Sequence, residues 1–483
     1  MKHDLFRKKS IAAMMKESGD SAGGLKRTLS AANLVTLGIG AIVGTGIFVV
    51  TGQAAAQYAG PALTISFLIS AFGCVLAGLC YAEFSAMIPV SGSAYSYSYA
   101  TIGELLAWFI GWDLILEYLF AVSSVSVGWS GYMCNLLSSL GMALPPHLVQ
   151  STFDHVAGQG WVFTGSIINF PAVFIVALVT SLLLAGVKQS ALINNIIVVI
   201  KVSVILLFIG FGLSYIDMSN YHPYIPENTG QFGSFGWSGI LRATAVVFFA
   251  YLGFDALSTA AQETKNPQRD MPKGILISLL ICAVLYIAVT AVLTGMVNYK
   301  ELNVDAPIAL AIDRAGANLR WLSPFIKLGA IAGISSVVLV MMYGLTRIYY
   351  AIAHDGMLPR MFSKVNPKTG VPQNATLFAG IGCGLVAGLF PLHALVEMVS
   401  IGTLMAFAIV CISIIVLRKT QPDLKRPFRV PLVPFIPLLG AGICILQMVS
   451  LPWSTWLRLI IWTAAGLAIY FLYGRRRSRL NKK

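Results

Sequence analysis

Runs of about 20 apolar residues recur along this chain, each long enough to carry a helix across roughly 30 Å of hydrocarbon. That solvent offers no water to backbone N–H and C=O groups, so only helices or closed barrels can span it. Runs this long suit helices. Spans are placed near 31–52, 61–88, 105–136, 168–186, 192–214, 239–261, 274–297, 324–353, 374–390, 394–417, 431–450 and 454–474, twelve in all. Composition agrees, with 57% hydrophobic residues, 11% charged and a mean hydropathy of +0.78, far from a soluble globular protein. The fold class read from the chain is an all-α integral membrane protein. About 30 polar and basic residues precede the first span without a short apolar core and cleavage site, so no cleavable signal peptide is expected.

Charge sets the expected orientation. Most of the 33 basic residues fall on segments that share one side if both termini are cytoplasmic. They include Lys2, Arg7, Lys16, Arg27, Lys188, Lys265, Arg269, Lys273, Arg360, Lys364, Arg418, Lys425, Arg475 and Lys483, whereas the long segment 137–167 on the other side has none. The positive-inside rule therefore favours an even number of spans in a cell (plasma or inner) membrane with both ends inside. The net charge of +14 is this topology signal and not a nucleic-acid footprint, because it is spread over loops that alternate with spans.

Two spans have interrupted centres. The first reads Gly38-Ile39-Gly40-Ala41-Ile42-Val43-Gly44-Thr45-Gly46-Ile47-Phe48, and each glycine costs a helix roughly 1 kcal/mol relative to alanine. Gly40-xxx-Gly44 also fits the small-residue spacing of close helix packing. A broken helix, however, leaves N–H and C=O groups free, which membranes tolerate only inside protein or beside a watery cavity. The sixth span carries Phe248-Phe249-Ala250-Tyr251-Leu252-Gly253-Phe254-Asp255, again near mid-membrane. Five spans separate the two, so they hold matching positions in halves 1–5 and 6–10. Paired interrupted helices at corresponding positions point to a transporter site at the bilayer midplane. N–H groups from the first and carbonyls from the sixth are together complementary to a zwitterion, and amino acids are the obvious zwitterionic nutrient.

Lys201 lies about ten residues into span 5, roughly 15 Å deep at the rise of a helix. A lysine reaches an interface comfortably only from near a helix end, and an ionised one at the centre costs about 2.5–3.5 kcal/mol even on the lenient insertion scale. It therefore needs a partner or a route for shedding its proton. Glu117 in span 3 lies about as deep and is a candidate site or relay residue, with Asp113 one turn away on the same face. Asp255 is read as holding the broken sixth helix through its free N–H groups, Glu83 as a gate or helix-end contact, and Glu397 is given no role. The seven cysteines form no CxxC or Cys/His cluster, so no metal is expected. The triplet Asn374-Ala375-Thr376 falls on the cytoplasmic side, where it would not be glycosylated.

The run Gly44-Thr45-Gly46-Ile47-Phe48, the block Phe248 to Asp255 and the loop Glu263-Thr264-Lys265-Asn266-Pro267-Gln268-Arg269-Asp270-Met271-Pro272 resemble the amino acid–polyamine–organocation superfamily, more narrowly its cationic amino acid transporter family. His354-Asp355-Gly356-Met357-Leu358-Pro359 and Arg426-Pro427-Phe428-Arg429-Val430-Pro431 fit the same family, so the likeness runs from about 26 to 474. It implies the 5+5 inverted-repeat fold of the bacterial leucine transporter plus two further helices. The chain then divides into an N-terminal cytoplasmic segment 1–30, a ten-helix core 31–417 with repeats at about 31–214 and 239–417, two extra helices in 418–474 and a basic tail 475–483. The resemblance implies a substrate carboxylate against backbone N–H groups around Ile42, Thr45 and Gly46, and a substrate amine against carbonyls of Phe249, Ala250 and Leu252. Phe249 would also cap the pocket, with Ala121 and Met341 as walls. Lys201 would couple transport to protons, standing where sodium-coupled relatives hold the ion, with Ser335 or Ser336 opposite it.

The function expected is secondary active, proton-coupled amino-acid uptake with no cofactor besides the transported proton. Other readings are a sodium-independent exchanger or facilitator, or the light chain of a heteromeric transporter, for which Cys134 is the only hint. A channel would show rings or filters of charged or carbonyl groups. A multi-span enzyme would need clustered His and carboxylates, whereas His147, His155, His222, His354 and His393 are isolated. Met341 with Met342 speaks against a site for a distal cation, so neutral amino acids such as alanine are the substrates expected.

Overall fold

A computed structural model describes residues 7–10, 29–88, 93–156, 160–186, 191–316 and 318–479. The N-terminal segment 1–30 lies outside these except for 7–10 and 29–30, as do Lys188 and the last four residues of the basic tail. Almost every ordered element is a helix: α1 (Ala31–Ile42), α2 (Leu63–Met87), α3 (Ser93–Thr101), α4 (Glu104–Ser139), α5 (Phe170–Leu184), α6 (Ala191–Gly212), α7 (Gly236–Val247), α8 (Pro267–Met296), α9 (Pro307–Arg314), α10 (Ser323–His354), α11 (Gln373–Leu389), α12 (Leu392–Thr420), α13 (Phe435–Ser450) and α14 (Trp453–Ile469). Among the described residues eight helical stretches are long and apolar enough to cross a membrane, and Ala31–Ile42, Phe170–Leu184, Gln373–Leu389 and Phe435–Ser450 are shorter apolar helices. At 1.5 Å per residue α4, with 36 residues, runs about 54 Å, so it must tilt or project beyond the hydrocarbon.

Local chemistry sets several helix starts. Ser30 accepts a hydrogen bond from the Asn33 N–H at the start of α1, and Asn169 accepts one from Ala172 at the start of α5. Proline opens α8 and α9, where its missing N–H would be unpaired anyway. The interior is apolar, but large apolar side chains also cover much of the outer surface. On α8 the exposed stripe is Ile277, Leu280 and Val284, while Ser278, Cys282 and Tyr286 are buried. Apolar side chains meeting the surroundings while polar ones turn to helix neighbours is what a hydrocarbon solvent selects.

The segment between α4 and α5 corrects a purely helical reading. Phe153–Val156 (β1) and Gly160–Phe163 (β2) pair antiparallel, with Phe153 opposite Phe163 and Val156 opposite Gly160. Phe153 and Trp161 both lean on Phe390, just before α12. The helices α3 and α9 in connecting segments were also not anticipated, since neither is long enough to register as a span.

The two described tails meet at one end of the bundle. Arg7 accepts through its carbonyl from the Glu104 N–H at 2.9 Å, and Lys9 pairs with Asp355 at 3.0 Å. From the other tail, the Ser478 hydroxyl donates to Glu104 at 2.8 Å and the Arg479 N–H donates to the Asp355 carbonyl at 3.0 Å. Near this end Glu83, fully buried on α2, accepts from Arg418 and from the Val430 N–H, and Arg426 lies 3.5 Å away.

Candidate functional site

The glycine-rich first span is broken. α1 stops at Ile42, Val43 turns extended (ψ 99°), and the chain resumes in a π-helical turn at Gly46–Val50. Among the described residues the N–H groups of Gly44, Thr45 and Gly46 find no backbone acceptor, while those of Ile47 and Phe48 both turn back to the Gly44 carbonyl. The sixth span breaks after the turn Phe248–Tyr251, with Leu252 extended (ψ 140°) and Gly253 at φ 114°, before a 3-10 stretch Asp255–Glu263. Only glycine adopts that φ without strain, so Gly253 is what lets the chain turn here.

The two breaks lie against each other. A methyl group added at Gly46 would sit 2.4 Å from the Ala250 Cα, and one at Gly253 would sit 2.8 Å from the Ala41 carbonyl oxygen. Ile42, Thr45 and Gly46 are thereby brought beside Phe249, Ala250 and Leu252, all of them buried. Asp255 accepts from the Gly253 N–H at 3.3 Å and from the Tyr118 hydroxyl at 3.1 Å, which fixes the turn to α4.

Lys201 fills the gap in the first span from α6. It is 0% exposed, and its ammonium donates to the carbonyls of Gly40 at 2.8 Å and Val43 at 2.9 Å. These are acceptors the helix lost where it broke, so the cation supplies donors that the interrupted ladder lacks. Its aliphatic stem lies on Gly333 of α10, where an added Cβ would come 2.9 Å from Lys201 Cγ. Ser335 and Ser336 do not partner it: Ser335 accepts from the Trp129 indole and donates to the Ile331 carbonyl, and Ser336 donates to the Gly333 carbonyl. A hydroxyl inside a helix readily bonds its own preceding turn, which sequence spacing does not reveal.

Ala121 and Met341 stand one turn from residues that touch the first break. The Val125 carbonyl, four residues after Ala121 on α4, accepts from the Thr45 hydroxyl at 3.3 Å. Val337, four residues before Met341 on α10, would meet a Cβ at Gly44 at 3.0 Å. Glu117 shares the α4 face of Ala121 by the same spacing. Its carboxylate and that of Asp113 are buried without a hydrogen-bond partner among the described residues, and Glu117 makes no bond to Lys201.

Sequence reasoning overlooked Tyr286 on α8. Its hydroxyl lies 2.9 Å from the Ile42 carbonyl and 2.9 Å from the Ala250 carbonyl, one at each break. Of the carbonyls expected to face an amine, that of Ala250 therefore already has a donor, and that of Phe249 accepts from the Leu252 N–H at 3.2 Å. An aromatic residue inside an apolar run gives no sign of which acceptor its hydroxyl will meet. Among the described residues no group of three or more His, Cys, Asp or Glu is gathered as for a metal.

Broken helices facing each other inside a polytopic helical bundle define a membrane permease rather than an enzyme, and the sequence comparisons agree. The chain belongs to the amino acid permease family of the amino acid–polyamine–organocation superfamily, whose description matches residues 29–472. It is 47% identical over 478 residues to a methylthioribose transporter of Bacillus subtilis (strain 168), covering 99% of each chain. It is 48% identical over 484 residues to a branched-chain amino acid permease of the same organism, covering 100% of each. A vacuolar cationic amino acid transporter of Arabidopsis thaliana is 36% identical over 421 residues, 87% of this chain and 68% of that one.

Proposed function

We propose that this permease is a proton-coupled transporter of neutral amino acids, with twelve spans, both termini cytoplasmic and one substrate site where the first and sixth spans break. The observation that carries the reading is the contact of the two breaks through Gly46 and Ala250, with unpaired N–H groups on one side and carbonyls on the other. The substrate carboxylate would take N–H groups around Ile42, Thr45 and Gly46, where those of residues 44–46 have no backbone acceptor among the described residues and partial positive charge gathers at a half-helix start. Its ammonium would take the carbonyls of Phe249, Ala250 and Leu252, and the Phe249 ring would close over it between Ala121 and Met341.

Proton coupling rests on Lys201. Protonated, it donates to both Gly40 and Val43 and holds the first break in one shape. Deprotonated, it loses the charge that makes those bonds strong, and the loosened break can shift with the alternating exposure of the site. Glu117 is a second proton carrier in this scheme, acting from α4 rather than through Lys201. Repeats near 31–214 and 239–417 supply the moving halves, with 418–474 as additional helices.

The test is uptake into proteoliposomes across all amino acids, with methylthioribose as a further substrate because one relative carries that name. Concentrative uptake of alanine or a branched-chain amino acid that collapses without an inward proton gradient is expected. A Lys201→Ala variant should still bind substrate but not concentrate it. Gradient-insensitive uptake, or concentration by Lys201→Ala, refutes the coupling, and transport of methylthioribose alone refutes the zwitterion site.

A further inference from the structure

Asp113 and Glu117 stand one turn apart on α4, between the facing breaks and the end of the bundle where the tails meet. The helix starts at Glu104, which holds the tails, and touches the first break through the Val125 carbonyl. At 1.5 Å per residue Glu117 lies about 12 Å short of Val125, and Asp113 a turn nearer the tails. The two residues are 1% and 3% exposed in the order Glu117, Asp113, and all four carboxyl oxygens are buried without a hydrogen-bond partner among the described residues. Asp113 is pressed against α12, where a methyl group at Gly402 would come 3.0 Å from its Oδ1. Tyr81 of α2 adds another orphan. Its hydroxyl is buried and unpartnered, and the carboxylates that act on it are those of Asp255 and Glu117. Asp255 itself is occupied by the Tyr118 hydroxyl and the Gly253 N–H, which leaves Glu117 as the acceptor still open to Tyr81.

A structural role does not account for this pair. Burying an acid without a donor weakens a fold, and an ionised one in hydrocarbon needs a counter-charge that no partner here supplies. A proton meets both needs, because it cancels the charge and turns one oxygen into a donor for the neighbouring carboxylate. We propose that Asp113 and Glu117 form a two-carboxyl station that carries the transported proton away from the substrate site, with Asp113 as the member on the tail side. This rests on the reading of Glu117 as a proton carrier and adds the group that receives from it. In the step the Glu117 O–H bond breaks and an Asp113 O–H bond forms, directly or through one water, and no electrons are exchanged. Glu117 is left as a carboxylate, to which the free Tyr81 hydroxyl can donate. Spacing of four residues sets the two side chains about 5–6 Å apart at Cβ, close enough for that transfer. Glycine at 402 keeps room beside Asp113 for its carboxyl to turn.

Asp113→Asn keeps the shape of the side chain and removes its capacity to carry a proton. In proteoliposomes it should cut alanine-driven proton influx, followed with an entrapped pH dye, by roughly tenfold or more, within what a positioned proton carrier contributes. Exchange of labelled for unlabelled alanine at equal pH on both sides moves no net proton, so it should stay at the parent rate. Asp113→Glu should recover the influx. A pH-difference infrared spectrum needs no substrate: the parent should show a titrating protonated-carboxyl band, and Asp113→Asn should lose part of it. Parental influx in Asp113→Asn overturns the station, as does an exchange rate that falls as far as the influx, or an unchanged carboxyl band. A parent without alanine-driven influx refutes the coupled-transport reading instead, and the band then decides by itself whether the pair holds a proton.

Discussion

Replacing Gly46 with alanine tests the ligand site through the substrate concentration that half-saturates uptake. In a plain helical position alanine would stabilise, by up to about 1 kcal/mol over glycine. Here the new methyl would stand 2.4 Å from the Ala250 Cα and 2.5 Å from its Cβ, and the first of these is backbone that cannot rotate away. Carbon atoms pack no closer than about 3.5 Å without repulsion, so the breaks must part by roughly 1 Å. A hydrogen bond formed at about 2.9 Å does not survive such a shift. One charge-assisted bond between the substrate carboxylate and the N–H groups of residues 44–46 is worth about 1.5–3 kcal/mol. Its loss raises the half-saturating substrate concentration roughly 10- to 150-fold. The assay is initial uptake rate against substrate concentration in proteoliposomes, with the melting temperature in detergent as control. A Gly46→Ala protein with the parent KM and a higher melting temperature would refute the site at the facing breaks.

Tyr286→Phe removes the donor shared by the Ile42 and Ala250 carbonyls, and the resulting loss of stability, about 1–3 kcal/mol for a buried acceptor left unpaired, is measured by denaturant or thermal unfolding in detergent. Glu83→Gln leaves Arg418 and Arg426 without their buried counter-charge, so it should destabilise by about 3–5 kcal/mol and lower the melting temperature, whereas Lys368→Ala on the exposed surface should not. Asp217, in the loop after α6, has its carboxyl held below the usual carboxylate range by the N–H and hydroxyl of Ser219. A group with a depressed folded pKa stabilises above its unfolded pKa of about 3.9 and loses that contribution as pH falls through the folded value. The stability gap between the parent and Asp217→Asn should therefore be present at neutral pH and close below about pH 4. A gap that widens on acidification would reverse the sign of this assignment.

Much of the architecture was legible because hydrocarbon imposes one-dimensional rules. Long apolar runs, the glycines at 44 and 46 and Gly253 are properties of local sequence, and they coincide with long apolar helices and with the two breaks. What escaped was decided by partners distant along the chain. Arg242 donates to Glu397 at 2.5 Å across 155 positions, and nothing local in either stretch announces the other. Tyr286 reads as one more aromatic in an apolar run until α8 is laid across both breaks. Whether Ser335 or Ser336 touches Lys201 was not legible, because facing a neighbour and bonding to it are different things, and a helix offers a nearer carbonyl. The β1–β2 hairpin was hidden in a loop read only for its lack of basic residues.

Tyr286 has one hydroxyl proton and two carbonyls at equal distance. That proton is shared between the first break and the sixth or given to one of them, and moving it across needs only rotation about a single C–O bond. At the substrate site proposed above, an ammonium at the Ala250 carbonyl would leave the hydroxyl to Ile42, so that filling one half of the cleft would complete the hydrogen bonding of the other. The two interrupted helices in this sense draw on a single proton held by a third helix.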